Sequence, residues 1–515
     1  MREILSLTKL LALSVCTVLV LSVSGCGDSK YTSGSSTIPP PITQKTDATL
    51  KKTVDDYMKN AGTPAGVPGV IVAVKMSGYQ PWYYASGSAE IDVANNAQKA
   101  AMKADMPFRI ASITKMFIAE TVILLAQEGK IDLTKSVEDY LPGALTGINA
   151  GNGSKITINM LLNHTSGIYS YVTSDAGLLN GNDPTPGFPM NSFVINLGQT
   201  TWAHSVSPQD KVLTFVNTFK PPTSIKVPVF DNRSSVGNPY GTNPYFKPGA
   251  GIHYSNTNYY LLGLLIEKVS GKSVESEIER LITKPLGLSD TYLPTEKTFN
   301  NPVHVHGYTD YFTGAFPYTS AMLKFNLNSG GWYNGDKVLE DFTEIEPSFT
   351  WTTGGMISSA KDLLTFTEFV MTSRVQSGQE AGKWIMGSPL DNSTTFQYGR
   401  GIARINDVMF GHGGQFAGYN IAAYWYAPLD VYMIVMTNKY SYIENAPNEI
   451  GASIVAGADK LYKVVAKTTY SSVDPNTAII NGIFDALKQD PGVVKSLKKA
   501  GDASFRFPDV TSQMR

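Results

Sequence analysis

Cysteine is nearly absent from this 515-residue chain: Cys16 and Cys26 are the only two. Both fall in the first 26 residues, so the chain beyond them has no disulfide and no thiol chemistry. Cysteine nucleophiles and cysteine-bound zinc are thereby excluded. Histidine is scarce as well, with six scattered residues and no H-E-x-x-H pair, which leaves a metal site little support. Charge of one sign is also missing. Net charge is −1 and charged residues make up 17% of the chain, so nothing points to nucleic acid or to a strongly charged partner. The apolar share of 42% is that of an ordinary globular protein, and the length allows a large core and two or more lobes.

No apolar run is long enough to span a membrane comfortably. The best, Leu10 to Val23, comes after Arg2 and Lys9 and reads as the apolar region of a targeting segment. It ends Val23-Ser24-Gly25-Cys26, which resembles a bacterial lipoprotein box. Residues 1–25 are then a signal peptide, and Cys26 is the lipidation site. Residues 26–47, rich in Ser, Thr, Gly and Pro, read as a flexible tether. On this reading the chain is expected on the extracytoplasmic side of a bacterial cell envelope, anchored to a membrane through its N-terminal lipid.

Beyond the tether, a helix is expected over Asp47 to Asn60 and a strand hairpin over Pro68 to Val74 and Trp82 to Ser86. Residues 171–246 are dense in Gly, Asn, Pro, Ser and Tyr and read as a long irregular insertion. Helices come next from Tyr259 to Ser270 with Gly271 as a stop, over Val274 to Leu286, and from Ala360 to Met371. Strands return at Tyr398 to Ile405, Met409-Phe410, Tyr419 to Tyr426 and Val431 to Thr437, and Pro447 to Ala466 reads as a closing helix. Bringing the strands of both ends together gives an α+β fold: an antiparallel sheet flanked by terminal helices, plus an all-helical lobe. The sheet lobe is expected at about 48–111 and 396–466 and the helical lobe at about 112–395. Residues 467–515 are a polar extension with a short helix near Ala478 to Leu487.

The chemistry is carried by Phe108-Arg109-Ile110-Ala111-Ser112-Ile113-Thr114-Lys115, where a strand runs into a long apolar helix. Residues three apart share a helix face, so the Ser112 hydroxyl and the Lys115 amine point the same way. A serine hydroxyl becomes a nucleophile when a base takes its proton, and a desolvated lysine is such a base. The pattern S-x-x-K also occurs at Ser6/Lys9, Ser358/Lys361 and Ser496/Lys499. The setting is what singles out Ser112. Tyr254-Ser255-Asn256, on a turn before a helix, adds a proton shuttle in Tyr254 and, in Asn256, an amide able to hold a lysine and a substrate carbonyl. Gly411-His412-Gly413-Gly414-Gln415, before a strand, adds glycines that admit a substrate backbone and a histidine supplying a donor or positive charge. His164 reads as a turn histidine bonded to backbone.

Ser112-x-x-Lys115, Tyr254-x-Asn256 and His412-Gly413-Gly414, in that order, resemble the serine β-lactamase-like and penicillin-binding superfamily. The likeness is closest to its D-alanyl-D-alanine carboxypeptidase, class C β-lactamase and esterase branch. Phe108 to Lys115, Leu161 to Gly167 and Tyr254 to Gly271 look like that branch almost continuously. The resemblance implies a β-lactamase/transpeptidase-like fold and a hydrolase spanning residues 48–466. It implies an acyl-enzyme on Ser112, with Lys115 and Tyr254 handling the proton, Asn256 beside them, and the N–H groups of Ser112 and Gln415 as oxyanion hole. No cofactor is implied. The expected substrate is a small molecule or a peptidoglycan peptide, and a monomer is expected. One departure is plain: the K-[ST]-G triad is absent from the chain. Gly413 lacks the hydroxyl that would grip a terminal carboxylate, and Arg404, or failing it Arg400, is the candidate replacement. Trp351 is a candidate for the acyl side of the pocket or, equally, for core packing. The expected function is D-alanyl-D-alanine carboxypeptidase-like or β-lactamase-related. An esterase or D-aminopeptidase, or a catalytically silent penicillin-recognising module, is the alternative.

Overall fold

The computed structural model describes residues 41–60, 67–76, 78–145, 153–168, 170, 246–252, 254–294, 299–309, 339–343, 350–376, 396–405, 408–416, 418–440 and 475–487. Cys26, the lipoprotein box, residues 171–245 of the insertion and the helix expected at Pro447 to Ala466 lie outside them.

Helix α1 covers Gln44–Asn60. It begins inside the expected tether because Thr43 caps it, accepting the Thr46 N–H at 3.2 Å. Strands β1 (Gly69–Met76) and β2 (Trp82–Asp92) form the expected hairpin, and β3 (Ala97–Ala101) extends it. β4 (Phe108–Arg109) leads through a 3₁₀ turn, Ala111–Ile113, into α2 (Thr114–Gln127). Helix α3 is Ile158–Leu162, and α4 is Asn256–Ser270. Gly271 ends α4 in the left-handed conformation, φ 67°, a cap that glycine adopts without a Cβ penalty. Three two-residue strands come next: β5 (Tyr308–Thr309), β6 (Glu340–Asp341) and β7 (Ile357–Ser358). Helix α5 is Ala360–Val370. The chain then runs through β8 (Phe396–Tyr398), β9 (Ala403–Ile405), β10 (Met409–Phe416), β11 (Tyr419–Tyr426), β12 (Val431–Thr437) and β13 (Lys439–Tyr440), and helix α6 is Pro475–Leu487.

Both ends of the chain build one antiparallel eight-stranded sheet, ordered β3-β2-β1-β12-β11-β10-β9-β8. Val70 of β1 lies opposite Thr437 of β12. Both faces of the central strands are covered, so the strands read as unbroken apolar runs rather than alternating ones. Ile71, Ala73, Ile421, Ala423, Trp425, Ile434 and Met436 face the core that holds α2, α4 and α5. Val70, Val72, Val74, Tyr424, Tyr426, Met433 and Val435 face Leu50 and Val54 of α1 and Ile479, Ile480, Ile483, Phe484 and Leu487 of α6. A helix apolar on all sides belongs at the centre. That helix is α2, from Thr114 through Thr121 all buried, with Phe117 stacked on Phe366 of α5 at 3.6 Å between ring centroids.

The α+β class with an antiparallel sheet is what the chain adopts. Three boundaries move. The middle of the chain is not all-helical, since β5, β6 and β7 lie there and α5 packs on the sheet. The sheet lobe does not stop at 466, because the apolar face of α6 inside the expected extension covers β11 and β12. And the Gly411–Gln415 motif does not precede a strand. It is the strand, paired residue for residue with β11 from Met409↔Tyr426 to Phe416↔Tyr419.

Candidate active site

The turn that carries Ser112 is strained. Ala111, immediately before it, holds φ 48°, a left-handed backbone that costs a non-glycine residue of order 1–3 kcal/mol. His164 (φ 60°) and Trp351 (φ 34°), on segments that reach the same site, share this conformation. The turn is anchored on both sides. The Ile110 N–H donates to Met356 O at 3.0 Å, and the Met356 N–H donates to Thr114 Oγ1 at 3.1 Å.

One turn on, Lys115 is fully buried. Its Nζ lies 3.1 Å from Ser112 Oγ, 2.8 Å from Asn256 Oδ1 and 2.5 Å from the Thr353 carbonyl oxygen. Burial holds its pKa well below that of an ordinary lysine. The geometry suits the neutral amine. Two N–H bonds are donated to oxygens that can only accept, and the lone pair is left facing the Ser112 hydroxyl. The same three contacts suit the ammonium, so a proton can arrive without any heavy atom moving.

The base is framed by tyrosines. Its Nζ sits 5.0 Å from the Tyr254 ring centroid and 5.7 Å from that of Tyr259. Tyr254 is hydrogen-bonded to Ser112, and burial outweighs that bond, so its pKa is raised. The proton shuttle expected of Tyr254 therefore starts from the protonated side: the phenol keeps its proton. The segment after α3 locks the start of α4. His164 Nδ1 accepts the Ser255 N–H and faces Asn258 Nδ2, both at 3.1 Å, which agrees with its reading as a backbone-bonded turn histidine. The Ser170 hydroxyl receives the Asn256 N–H at 3.1 Å and Nδ2–H at 3.2 Å.

β10 passes beside the nucleophile turn. A Cβ on Gly414 would stand 2.5 Å from Ile110 O and 3.2 Å from Ala111 Cβ, so only glycine lets the strand lie this close to the turn. Gly413 and Gln415 flank that approach, and both are partly exposed. His412 is fully buried. Tyr398 Oη lies 2.8 Å from its Nε2, and its Nδ1 is against the Gly413 carbonyl. Burial, together with the charge of Lys115, lowers its pKa to about 3. A carbonyl only accepts, so Nδ1 carries the proton and Nε2 accepts from the Tyr398 hydroxyl. His412 is a neutral ring with both nitrogens committed, not the donor or positive charge expected for substrate.

Two more expectations change. Arg404 faces Phe410 across β9 and β10 and donates to Gln397 at 3.0 Å. Phe410 is three residues from Gly413 and five from Gln415, about 10–16 Å along a strand rising roughly 3.3 Å per residue, and the Arg404 guanidinium is turned to Gln397 rather than to that stretch. Arg400 instead donates to Asn159 of α3 at 2.7 Å. Trp351 packs edge-on against Tyr260, ring centroids 5.0 Å apart, and donates to Glu275 at 3.2 Å. A Cβ on Gly263 would stand 2.7 Å from the Trp351 ring, so that ring is a wedge between helices rather than a pocket wall. Sequence reasoning passed over Thr353, Ser170 and Tyr398. Thr353 acts through its backbone oxygen, which has no sequence signature; the neighbouring Gly354-Gly355 pair was the available hint of a close approach.

A family model described as Beta-lactamase matches residues 50–456. The chain belongs to the beta-lactamase family. Its relatives there include a penicillin-binding protein of Bacillus subtilis (strain 168), 26% identical over 366 residues that cover 70% of this chain and 65% of that protein. The human protein described as serine beta-lactamase-like protein LACTB, mitochondrial, is 23% identical over 346 residues, 64% of this chain and 58% of that one. The chain thus spans less than two thirds of the length of these curated relatives. Among solved structures, a D-stereospecific amidohydrolase from Streptomyces sp. superposes with TM-score 0.53 at 26% identity, over 76% of this chain and 94% of that one. A D-amino acid amidase from Ochrobactrum anthropi SV3 shares the fold, with TM-score 0.56 at 20% identity over 86% of this chain and 99% of that one. The sheet-and-helix architecture above is thus the fold of this serine hydrolase family.

Proposed function

We propose that this beta-lactamase family member is a serine acyl hydrolase. Its substrates are amides or esters of D-configured amino acids or short D-peptides, with no free carboxylate beside the bond that is cut. The observation that carries the hydrolase reading is the buried Lys115 amine, 3.1 Å from Ser112 Oγ with both N–H bonds occupied by carbonyl acceptors. Ser112 Oγ attacks the acyl carbonyl as its proton passes to Lys115. Tyr254, still protonated, hands its proton to the departing amine or alcohol and is restored from the Lys115 ammonium. The backbone N–H groups of Ser112, on the turn, and of Gln415, on β10, hold the oxyanion. Water then repeats the attack and frees the acid.

The substrate class rests on what the described residues of the carboxylate side lack. His412 is neutral, Gly413 has no hydroxyl, and Arg404 is held by Gln397. The Streptomyces amidohydrolase supports the same choice. A second reading, a D-alanyl-D-alanine carboxypeptidase or β-lactam-recognising protein, is favoured by the Bacillus relative.

A hydrolysis panel decides between them: D-amino acid amides, p-nitrophenyl esters, D-Ala-D-Ala peptides and nitrocefin. Amide or ester turnover well above peptide turnover is expected, and preferred release of terminal D-alanine sinks the substrate assignment. Ser112→Ala should leave less than about a thousandth of the parent rate and no adduct with a fluorophosphonate probe. A parent protein that takes up no probe is a silent binding module instead.

A further inference from the structure

The amide of Asn256 has two ends of nearly equal shape, and the chemistry above works with only one of them toward Lys115. With Oδ1 inward, the amide accepts from Lys115 in both protonation states. With Nδ2 inward, it would donate into the lysine lone pair and occupy the base. Lys115 alone does not enforce the first arrangement, because a neutral amine can bond to either end. A second contact is needed on the far side of the amide.

Ser170 makes that contact. It is 3% exposed, and its Oγ lies 3.1 Å from the Asn256 backbone N and 3.2 Å from Nδ2. The backbone N–H can only donate, so one lone pair of the hydroxyl is fixed toward residue 256. In this arrangement the second lone pair takes the Nδ2–H, and Oδ1 faces Lys115 Nζ at 2.8 Å. The neighbours of Ser170 reinforce this. Ser166 Oγ donates to Asn258 Oδ1 at 2.7 Å and the Tyr259 hydroxyl to Leu162 O at 2.8 Å, so residues 162–170 grip successive positions of the α4 N-terminus. The other grips hold the helix, whereas the one from Ser170 reaches the amide in contact with the base.

We propose that Ser170 is a positioning residue that holds the Asn256 amide with its oxygen on Lys115 and so keeps the lysine lone pair free for Ser112. The proposal rests on the acyl-hydrolase reading above. Among the described residues, the other titratable groups around Lys115 stay neutral over the working pH range: burial raises Tyr254, Tyr259 and Tyr398 and lowers His412 to about 3. An acid limb in the rate profile therefore belongs to Lys115.

The test compares the parent, Ser170→Ala and Ser170→Thr on a D-amino acid amide or p-nitrophenyl ester across pH 5–9, with melting temperatures beside the kinetics. Ser170→Ala should lower kcat by about 10–100-fold, the usual effect of removing a group that orients an active-site side chain, with KM changed less than about twofold. Its acid limb should move to lower pH, because an inward N–H favours the neutral lysine. Ser170→Thr, which keeps the hydroxyl, should recover most of the turnover and the parent limb. Parent-like kinetics for Ser170→Ala overturn the proposal. So does a loss of rate that merely tracks the folded fraction with an unmoved acid limb, and so does a Ser170→Ala chain that fails to fold, which would make the hydroxyl a folding element. An inactive parent that takes up no fluorophosphonate defeats the hydrolase reading itself, and Ser170 then has nothing to position.

Discussion

Asn256 Oδ1 and Thr353 O accept from Lys115 whether it is amine or ammonium, so the residue can gain or lose a proton between fixed walls. Tyr254 is set beside it with its proton retained. Tyr254→Phe removes that proton and keeps the ring against His164, 4.4 Å between centroids. We expect KM and melting temperature near the parent's and kcat lower by about a hundredfold to ten-thousandfold, the range for a lost general acid. Normal kcat with a lowered melting temperature would take Tyr254 out of the mechanism. The candidate residues were legible from their types, their order and the family resemblance together, and Ser112, Lys115, Tyr254 and Asn256 do converge in the structure. Their electrostatics were not. Whether Tyr254 gains or loses acidity, and whether His412 is charged, depends on burial supplied by distant segments, which spacing does not report.

Among the elements, the junction between α4 and the next turn of helix, Val274–Ile278, carries a testable charge conflict. Burial, with the Glu275 carboxylate adding to it, raises Glu267 to about 7, while a hydrogen bond from the Val274 backbone opposes the shift. A carboxyl whose folded pKa exceeds its unfolded value of about 4.3 binds more protons in the native state between the two. Stability should therefore fall as pH rises from about 4 to 7 and level off above. Glu267→Gln should flatten that slope and melt higher than the parent at pH 8, with little difference at pH 4. An unchanged pH dependence in the variant would show that Glu267 is not the source. Helices were well read from periodicity and stops such as Gly271. β10 was not, because three of its eight residues are Gly411, Gly413 and Gly414, and glycine has poor strand propensity. Pairing with β11 overrides them, and their smallness is what brings the strand against Ala111.

For the molecule as a whole, α6 matters more than its place near the C-terminus suggests. Five of its side chains, Ile479, Ile480, Ile483, Phe484 and Leu487, are at most 2% exposed. At roughly 1.5–3 kcal/mol each, their burial rivals the 5–15 kcal/mol that keeps a domain folded. A chain ending at residue 474 should aggregate or melt far below the parent, as read by thermal unfolding and gel filtration. A truncated chain with parent-like melting would show that α1 covers that face alone. The meeting of the chain ends in one sheet was legible because apolar strands at both termini had nowhere else to bury their faces. The share of α6 in that burial was hidden by the polar residues around it. That meeting also sets a clock. β1 cannot gain its β12 neighbour until roughly 370 further residues exist. At about 5–20 residues per second of synthesis, the wait is about 20–70 s. For that interval Gly69–Met76 is an adhesive ribbon with one side open, so the yield of this protein depends on how well nascent chains are kept apart until their own tails emerge.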